Sequence, residues 1–271
     1  MVGTSRATRS APMTVLVTGA TGHTGRHVVA GLEAAGVRTR ILVRGETEGS
    51  DVVRGDVRDL TEAAEGVDAV YLLWPFFTAD GIEAALEPLR GKKIVYLSAM
   101  AAEAGDGGVW GGVEAAVRKV TDDWTFLRVT GLATNALAWA PQAKTGVVRA
   151  AHGQAKRSVV HERDVADMAV KALTEDHKGQ IYLVTGPEAL AHAEQARLVG
   201  EALGTPVTWE EQPPEEAIAQ MSAYLGAEFA AAAVDHWASL VDDPEPVSLD
   251  VARVTGHPAR PFDEWAREHF S

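Results

Sequence analysis

The segment Met13-Thr14-Val15-Leu16-Val17-Thr18-Gly19-Ala20-Thr21-Gly22-His23-Thr24-Gly25 constrains this chain more than any other. An apolar, β-branched run feeds a glycine-rich turn. The turn opens into a segment that carries Val28, Val29 and Leu32 at helical spacing. That order reads as a strand, a tight loop and a helix N-terminus. Gly19 lets the chain leave the strand. Gly22 lets the backbone approach a pyrophosphate with no side chain in the way, and Gly25 lets helix and strand pack closely. The free N–H groups of the first helical turn and the helix dipole then favour an anion. In this strand–turn–helix context the spacing predicts dinucleotide binding through Gly19, Thr21, Gly22, His23, Thr24 and Gly25.

The rest of the chain repeats the alternation. Continuous apolar runs at 15–18, 39–43, 69–74, 93–98, 125–129 and 180–184 read as strands buried on both faces, which suits a parallel sheet. Helical patterns near 24–35, 60–65, 79–90, 109–120 and 162–174 separate them. The expected class is therefore α/β, with a doubly wound parallel sheet of the Rossmann type. After Val184 the character changes. Residues 188–204 and the alanine-rich 214–240 read as helices, and Pro261–His269 as a short capped helix. The expected organisation is a disordered tail at 1–12 and a nucleotide domain at 13–187. A small, mostly helical substrate lobe follows at 188–271, with 131–158 contributing to it.

Net charge is −13, which disfavours nucleic acid and anionic membranes as partners. An anionic cofactor must then be held by local cations and backbone dipoles. Cysteine is absent, which removes disulfides, thiolate metal sites and cysteine nucleophiles. No histidine pair has metal-ligand spacing with a carboxylate, so no metal is expected. No apolar stretch reaches the length of a membrane span, and residues 1–12 lack the apolar region of a signal peptide. A cytoplasmic enzyme, monomeric or homodimeric and acting on a small molecule, fits these bounds.

The second strand ends at Arg44, where an acidic residue would bind the ribose 2′-hydroxyl of NAD. Arginine suits the 2′-phosphate of NADP, so NADP is expected ahead of NAD. Asp56 and Val57 follow the third extended segment and fall beside the adenine; a turn-forming aspartate is the alternative. Leu73 and Trp74 end the central strand on the nicotinamide side, and Ser98 ends the fourth.

Taken with the glycine segment, Gly55-Asp56, Tyr96-Leu97-Ser98-Ala99, Glu114, Trp124–Arg128, Asn135, Glu162–Ala166, Leu183–Pro187 and Val254–Arg260 resemble the NmrA-like group of atypical short-chain dehydrogenase/reductases. The resemblance covers about Met13 to His269. Within the group the chain looks most like ergot-alkaloid iminium reductases and related bacterial NAD(P)H-dependent reductases. The resemblance implies a Rossmann core, a C-terminal substrate lobe and usually NADP. Members include quinone and azo reductases, iminium reductases, and proteins that bind the nucleotide only to sense redox state.

Most short-chain reductases protonate the substrate with a Tyr-x-x-x-Lys pair. Here the four tyrosines, Tyr71, Tyr96, Tyr182 and Tyr224, are followed four places on by Pro75, Met100, Gly186 and Glu228. Where the motif should fall stands Trp110-Gly-Gly-Val-Glu114. Either the protein does no chemistry, or its reaction needs little proton help, as hydride addition to a cationic iminium does. Ser98 and His161 are the remaining candidates for proton or hydrogen-bond chemistry; each has a plain capping role as its alternative. Met100, Trp110, Thr130, Asn135 and Tyr224 are the candidate substrate contacts. The expected activity is NADPH-dependent hydride transfer to a bulky apolar, aromatic ketone or imine of secondary metabolism, such as antibiotic biosynthesis. The alternatives are a non-catalytic nucleotide-binding redox sensor and an NADPH quinone reductase.

Overall fold

The continuous apolar runs assemble side by side because each has two faces to bury. A computed structural model describes residues 13–49, 51–103 and 107–271; the tail expected at 1–12 lies outside them. The first half of the chain gives β1 (Thr14–Thr18), α1 (Gly25–Ala34), β2 (Arg38–Val43), β3 (Val52–Arg54), β4 (Ala69–Leu72), α2 (Ile82–Leu86), β5 (Lys93–Ala99), α3 (Gly108–Val120) and β6 (Trp124–Val129). Then come α4 (Ala140–Ala143), β7 (Val147–Ala150), β8 (Lys156–Arg157), α5 (Glu162–Thr174) and β9 (Gln180–Val184). The last stretch holds β10 (Leu190–Ala191), α6 (His192–Leu203), β11 (Thr208–Glu211), α7 (Pro214–Leu225), α8 (Ala227–Ser239), α9 (Asp250–Thr255) and α10 (Phe262–Phe270).

Seven strands form one parallel sheet in the order β3-β2-β1-β4-β5-β6-β9. The order reverses between β1 and β4, and the crevice at the carboxyl ends there is where open α/β sheets bind ligands. Leu16, Val70, Ile94, Tyr96 and Phe126 bury one face of the sheet with Val113 and Val117 of α3. Val15, Val17, Val95 and Leu127 bury the other with Val28 and Leu32 of α1 and with Met168 and Ala169 of α5. This is the Rossmann-type class expected from the sequence.

The helical C-terminal portion has its own core, in which Val148, Val199 and Val207 meet Phe262, Trp265 and Phe270 of α10. Two small sheets hold it together: β7 pairs in parallel with β11, and β8 antiparallel with β10. Residues 131–160 thus pack with residues that come after β9.

Several expected helices differ. Residues 60–65 form hydrogen-bonded turns rather than a helix. Asp59 accepts the Thr61 N–H, the Ala63 and Glu65 carbonyls go to Arg40, and Gly66 leaves at φ +67°. The 79–90 helix shrinks to α2 and a 3-10 turn, because Gly81 is left-handed and Pro88 removes a donor. Residues 190–191 pair as β10 before α6 begins. The 214–240 helix breaks into α7 and α8 at Gly226, whose φ of +82° suits glycine alone.

Candidate functional site

The glycine loop is built as its spacing demands. Gly19 adopts φ +66°, and a Cβ there would collide with Leu73. A Cβ on Gly25 would lie 2.7 Å from the Gly19 carbonyl carbon and 2.9 Å from the Ala20 Cα. The loop folds on itself through Gly22 N–H to the Gly19 carbonyl (2.9 Å) and Arg26 N–H to the Gly22 carbonyl (3.2 Å). Among the described residues, no protein acceptor receives the N–H groups of Thr21, His23, Thr24 or Gly25. Four donors at a helix start therefore stand open, with Thr21 and His23 exposed and Thr24 buried. Sequence reasoning missed Thr18. Its hydroxyl accepts the Leu73 N–H at 2.7 Å and donates to the Tyr71 carbonyl at 3.2 Å, locking β1 to β4 where the loop begins. A hydroxyl residue directly before the first glycine was the available signal.

Arg44 is exposed just beyond β2 and has no side-chain partner among the described residues. Asp56 accepts the Arg58 N–H at 3.0 Å, so the turn-forming alternative holds for one of its oxygens. Val57 is a core side chain, so only its backbone is offered to a ligand. A depression of about 300 Å³ beside Asp56 is lined by Leu42, Val53, Gly55, Asp59 and Glu62.

Past β4, Leu73 abuts Gly19, and Trp74 is buried with its indole N–H on the Thr78 carbonyl at 2.8 Å. Trp74 is thus a structural pin rather than an open cofactor shield. Phe77, 53% exposed, reaches Phe229 of α8 at 4.5 Å between ring centroids, and Trp110 of α3 reaches the same ring at 5.9 Å. Met100, half-buried, begins the turn after β5.

Ser98 corrects the expectation that it faces substrate. Its side chain points under the sheet end, and its hydroxyl donates to Glu114 Oε1 at 2.7 Å. Glu114 is 1% exposed and also takes a two-pronged bond from Arg128, Nε to Oε1 and Nη2 to Oε2, each 2.9 Å. Arg118 adds a third contact at 3.3 Å. Ser98 and Arg128 stand level on neighbouring strands, so the network clamps β5, β6 and α3 together. The hydrogen bond to Glu114 raises the Arg128 pKa still further. Sequence reasoning missed this cluster; an arginine inside a strand otherwise apolar was the signal.

Other expected contacts lie elsewhere. The Thr130 hydroxyl is buried and donates to the Ser158 carbonyl at 2.8 Å, so it does not face a ligand. Asn135 is exposed on the 3-10 turn after β6, and Tyr224 is 68% exposed on α7. Tyr71 and Tyr96 lie inside the sheet layers with pKa values pushed up by burial, and Tyr182 hydrogen-bonds His177. His161 is buried and caps α5, its Nδ1 accepting the Arg163 N–H at 3.2 Å. Its other nitrogen faces Glu268 of α10 at 3.3 Å. The ring is thus engaged in the capping bond, at 1% exposure. Beside it, burial opposes ionisation of Glu162, but the His161 ring, the Glu162 amide and His269 outweigh that and bring the carboxyl down to about 2. Asp164, Asp167 and His257 converge within 4.8 Å, yet Arg260 donates to both carboxylates and already supplies the cation.

A doubly wound parallel sheet whose first crossover carries an open amide cradle defines a Rossmann-type dinucleotide-fold protein with a C-terminal lobe. The chain belongs to the NmrA-like family, whose model matches residues 12–251. It is similar to a (4-alkanoyl-5-oxo-2,5-dihydrofuran-3-yl)methyl phosphate reductase of Streptomyces griseus subsp. griseus, 38% identical over 94% of this chain and 97% of that one. An NAD(P)H azoreductase of Xenophilus azovorans is 30% identical over 94% of this chain and 97% of its own. Among solved structures, the NADPH complex of an NADPH-dependent quinone oxidoreductase from Escherichia coli shares the fold. Its TM-score is 0.77, at 23% identity, covering 95% of this chain and all of that one.

Proposed function

We propose that this protein is an NADPH-dependent oxidoreductase that delivers hydride to a bulky, apolar, conjugated ketone or imine. The observation that carries the reading is the set of four amides at Thr21, His23, Thr24 and Gly25 that find no acceptor among the described residues, in a loop too tight for any Cβ at Gly25. Those donors fit a pyrophosphate. The guanidinium of Arg44, without a side-chain partner among the described residues, fits a 2′-phosphate, and the depression beside Asp56, where Leu42 and Val53 lie next to carboxylates and Arg54, fits adenine. When bound, the nicotinamide supplies the hydride.

The chain's own residues then position and shield. Leu73 and the Thr18–Leu73 lock hold the β4 turn against the glycine loop. Phe77, Trp110 and Phe229 offer apolar ring faces over the ends of β4 and β5. Positioning of this kind supplies a large share of the rate when little proton transfer is needed. An iminium needs no proton as hydride arrives; a ketone takes one from water or from a neighbouring substrate hydroxyl. Two sequence relatives bear names that specify electron-poor π acceptors, an oxo-dihydrofuran and an azo bond, which supports a conjugated acceptor.

The test is loss of NADPH absorbance with a panel of polycyclic ketones, cyclic imines and quinones. Turnover with ketones or imines is expected; turnover with quinones alone makes the protein a quinone reductase. Because Ser98 is tied to Glu114 and no Tyr-x-x-x-Lys exists, a non-catalytic sensor is the second reading. Nucleotide binding by calorimetry without any turnover on the panel would select it.

A further inference from the structure

We infer that Arg128 is the electrophile of this site: its Nη1 edge binds the acceptor's carbonyl oxygen as that oxygen gathers negative charge. The inference rests on the reductase reading above. The Tyr-x-x-x-Lys pair, when present, contributes a hydrogen-bond donor and one positive charge. At the same strand end this chain assembles Arg118 and Arg128 on the buried Glu114, and the cluster carries one net positive charge once the exposed Glu103 swings away from it.

A guanidinium is a rigid fork with five N–H donors. Nε and Nη2 of Arg128 are committed to Glu114, which fixes the plane of the group. Among the described residues, Nη1 faces only Glu103, at 3.6 Å. Glu103 sits in the turn directly after β5, on the nicotinamide side, and its side chain is 79% exposed while that of Arg128 is 13% exposed. An exposed, loosely held carboxylate is a weak competitor. A ligand oxygen arriving over the end of β5 displaces it and meets a cation already anchored and largely shielded from water. Charge aimed in advance at a developing oxyanion is the strongest general form of catalytic stabilisation.

The step balances simply. Hydride from NADPH forms a C–H bond at the conjugated acceptor, the π pair of the carbonyl moves onto oxygen, and Nη1–H donates a hydrogen bond to that oxygen. Water then supplies the proton, because an arginine does not surrender its own. An iminium has no lone pair to offer this edge and its charge is repelled by the guanidinium, so the inference selects carbonyl acceptors over iminium ions.

The test uses 2-hydroxy-1,4-naphthoquinone, an enolate at neutral pH, and the neutral 2-methyl-1,4-naphthoquinone. Their binding is measured by calorimetry with and without oxidised nucleotide. Glu103→Gln removes the competitor without touching the buried network. It is expected to tighten the enolate roughly two- to fivefold and the neutral quinone by less, since the enolate also gains from losing a like charge. Arg128→Lys keeps the charge but loses the fork. It is expected to weaken the enolate by roughly tenfold or more, with folding checked by melting. In turnover with the neutral quinone, Arg128→Lys is expected to lower kcat more than it raises KM, and the wild-type kcat to stay flat from pH 6 to 10. An unchanged enolate affinity in Glu103→Gln, or a wild-type kcat in Arg128→Lys, overturns the inference. Failure of every acceptor to consume NADPH overturns the reductase reading instead; the enolate comparison needs no turnover and still decides the role of Arg128.

Discussion

Gly25→Ala is the sharpest perturbation of the nucleotide loop. Its new methyl group would sit 2.7 Å from the Gly19 carbonyl carbon, 2.9 Å from the Ala20 Cα, and closer still to the Gly19 oxygen. Carbon contacts settle at about 3.5–4.0 Å, so loop and helix must separate by roughly 1 Å. All three obstacles are backbone, and no rotamer change relieves them. Overpacking of this kind costs about 1–3 kcal/mol of stability. The displaced loop also carries the open amides away from the phosphates. A hydrogen bond to a charged group contributes about 1.5–3 kcal/mol, so losing one weakens NADPH binding by roughly 10- to 100-fold. Calorimetric titration with NADPH, alongside a thermal melt, reads both effects. Gly36→Ala is the control: its φ of +73° strains the far end of α1, but nothing lies within 4 Å of the added methyl. It should lower the melting temperature and spare NADPH affinity. If Gly25→Ala binds NADPH like the wild type, the phosphate does not rest on this loop.

Other outcomes are expected. Arg44→Glu should weaken NADPH markedly and leave NADH almost untouched, measured by fluorescence titration; equal loss for both nucleotides would remove Arg44 from the 2′-phosphate. Glu114→Gln leaves Arg128 and Arg118 without their carboxylate and should cost about 3–5 kcal/mol in urea unfolding, the usual penalty for breaking a buried pair. His192 is buried against Trp139, Trp209 and Trp237, and burial, with repulsion from Arg157, lowers its pKa from 6.5 to about 4. The unfolded chain binds this proton first, so the folded state is favoured above pH 6.5 and loses that advantage as pH falls toward 4. At about 1.4 kcal/mol per pH unit the loss approaches roughly 3 kcal/mol. His192→Phe should show a shallower decline of melting temperature over that range; parallel curves would assign the slope to other groups. Phe229→Ala should raise KM for polycyclic acceptors and leave NADPH affinity alone, and an unchanged KM would place the substrate elsewhere.

The sheet was legible because its strands are buried on both faces. Val15–Thr18 and Lys93–Ser98 announce themselves as unbroken apolar runs. That same continuity hides which face each residue takes. Ile94, Tyr96 and Ser98 share one side of β5, and the fate of Ser98 depended on Glu114 arriving from a helix sixteen positions later. Helix breaks set by one backbone angle, as at Gly226 and Gly81, were present in the sequence but outweighed by the alanine and leucine spacing around them. The pairing of β7 with β11 was not legible, since each strand is short, half-exposed, and meets a partner some sixty residues away. The nucleotide loop was legible because its geometry is local.

The route of the chain between its two halves has a mechanical consequence. It leaves the large sheet after β6 to build β7 and β8, and returns for α5 and β9. It departs again for β10 through α8, comes back so that α9 rests on α5 and β9, and crosses once more for α10 to seal the outlying core. No single scissor cut frees either half intact. The two should therefore melt as one calorimetric transition, and a guest that grips the glycine loop should protect sites in the distant helices from protease.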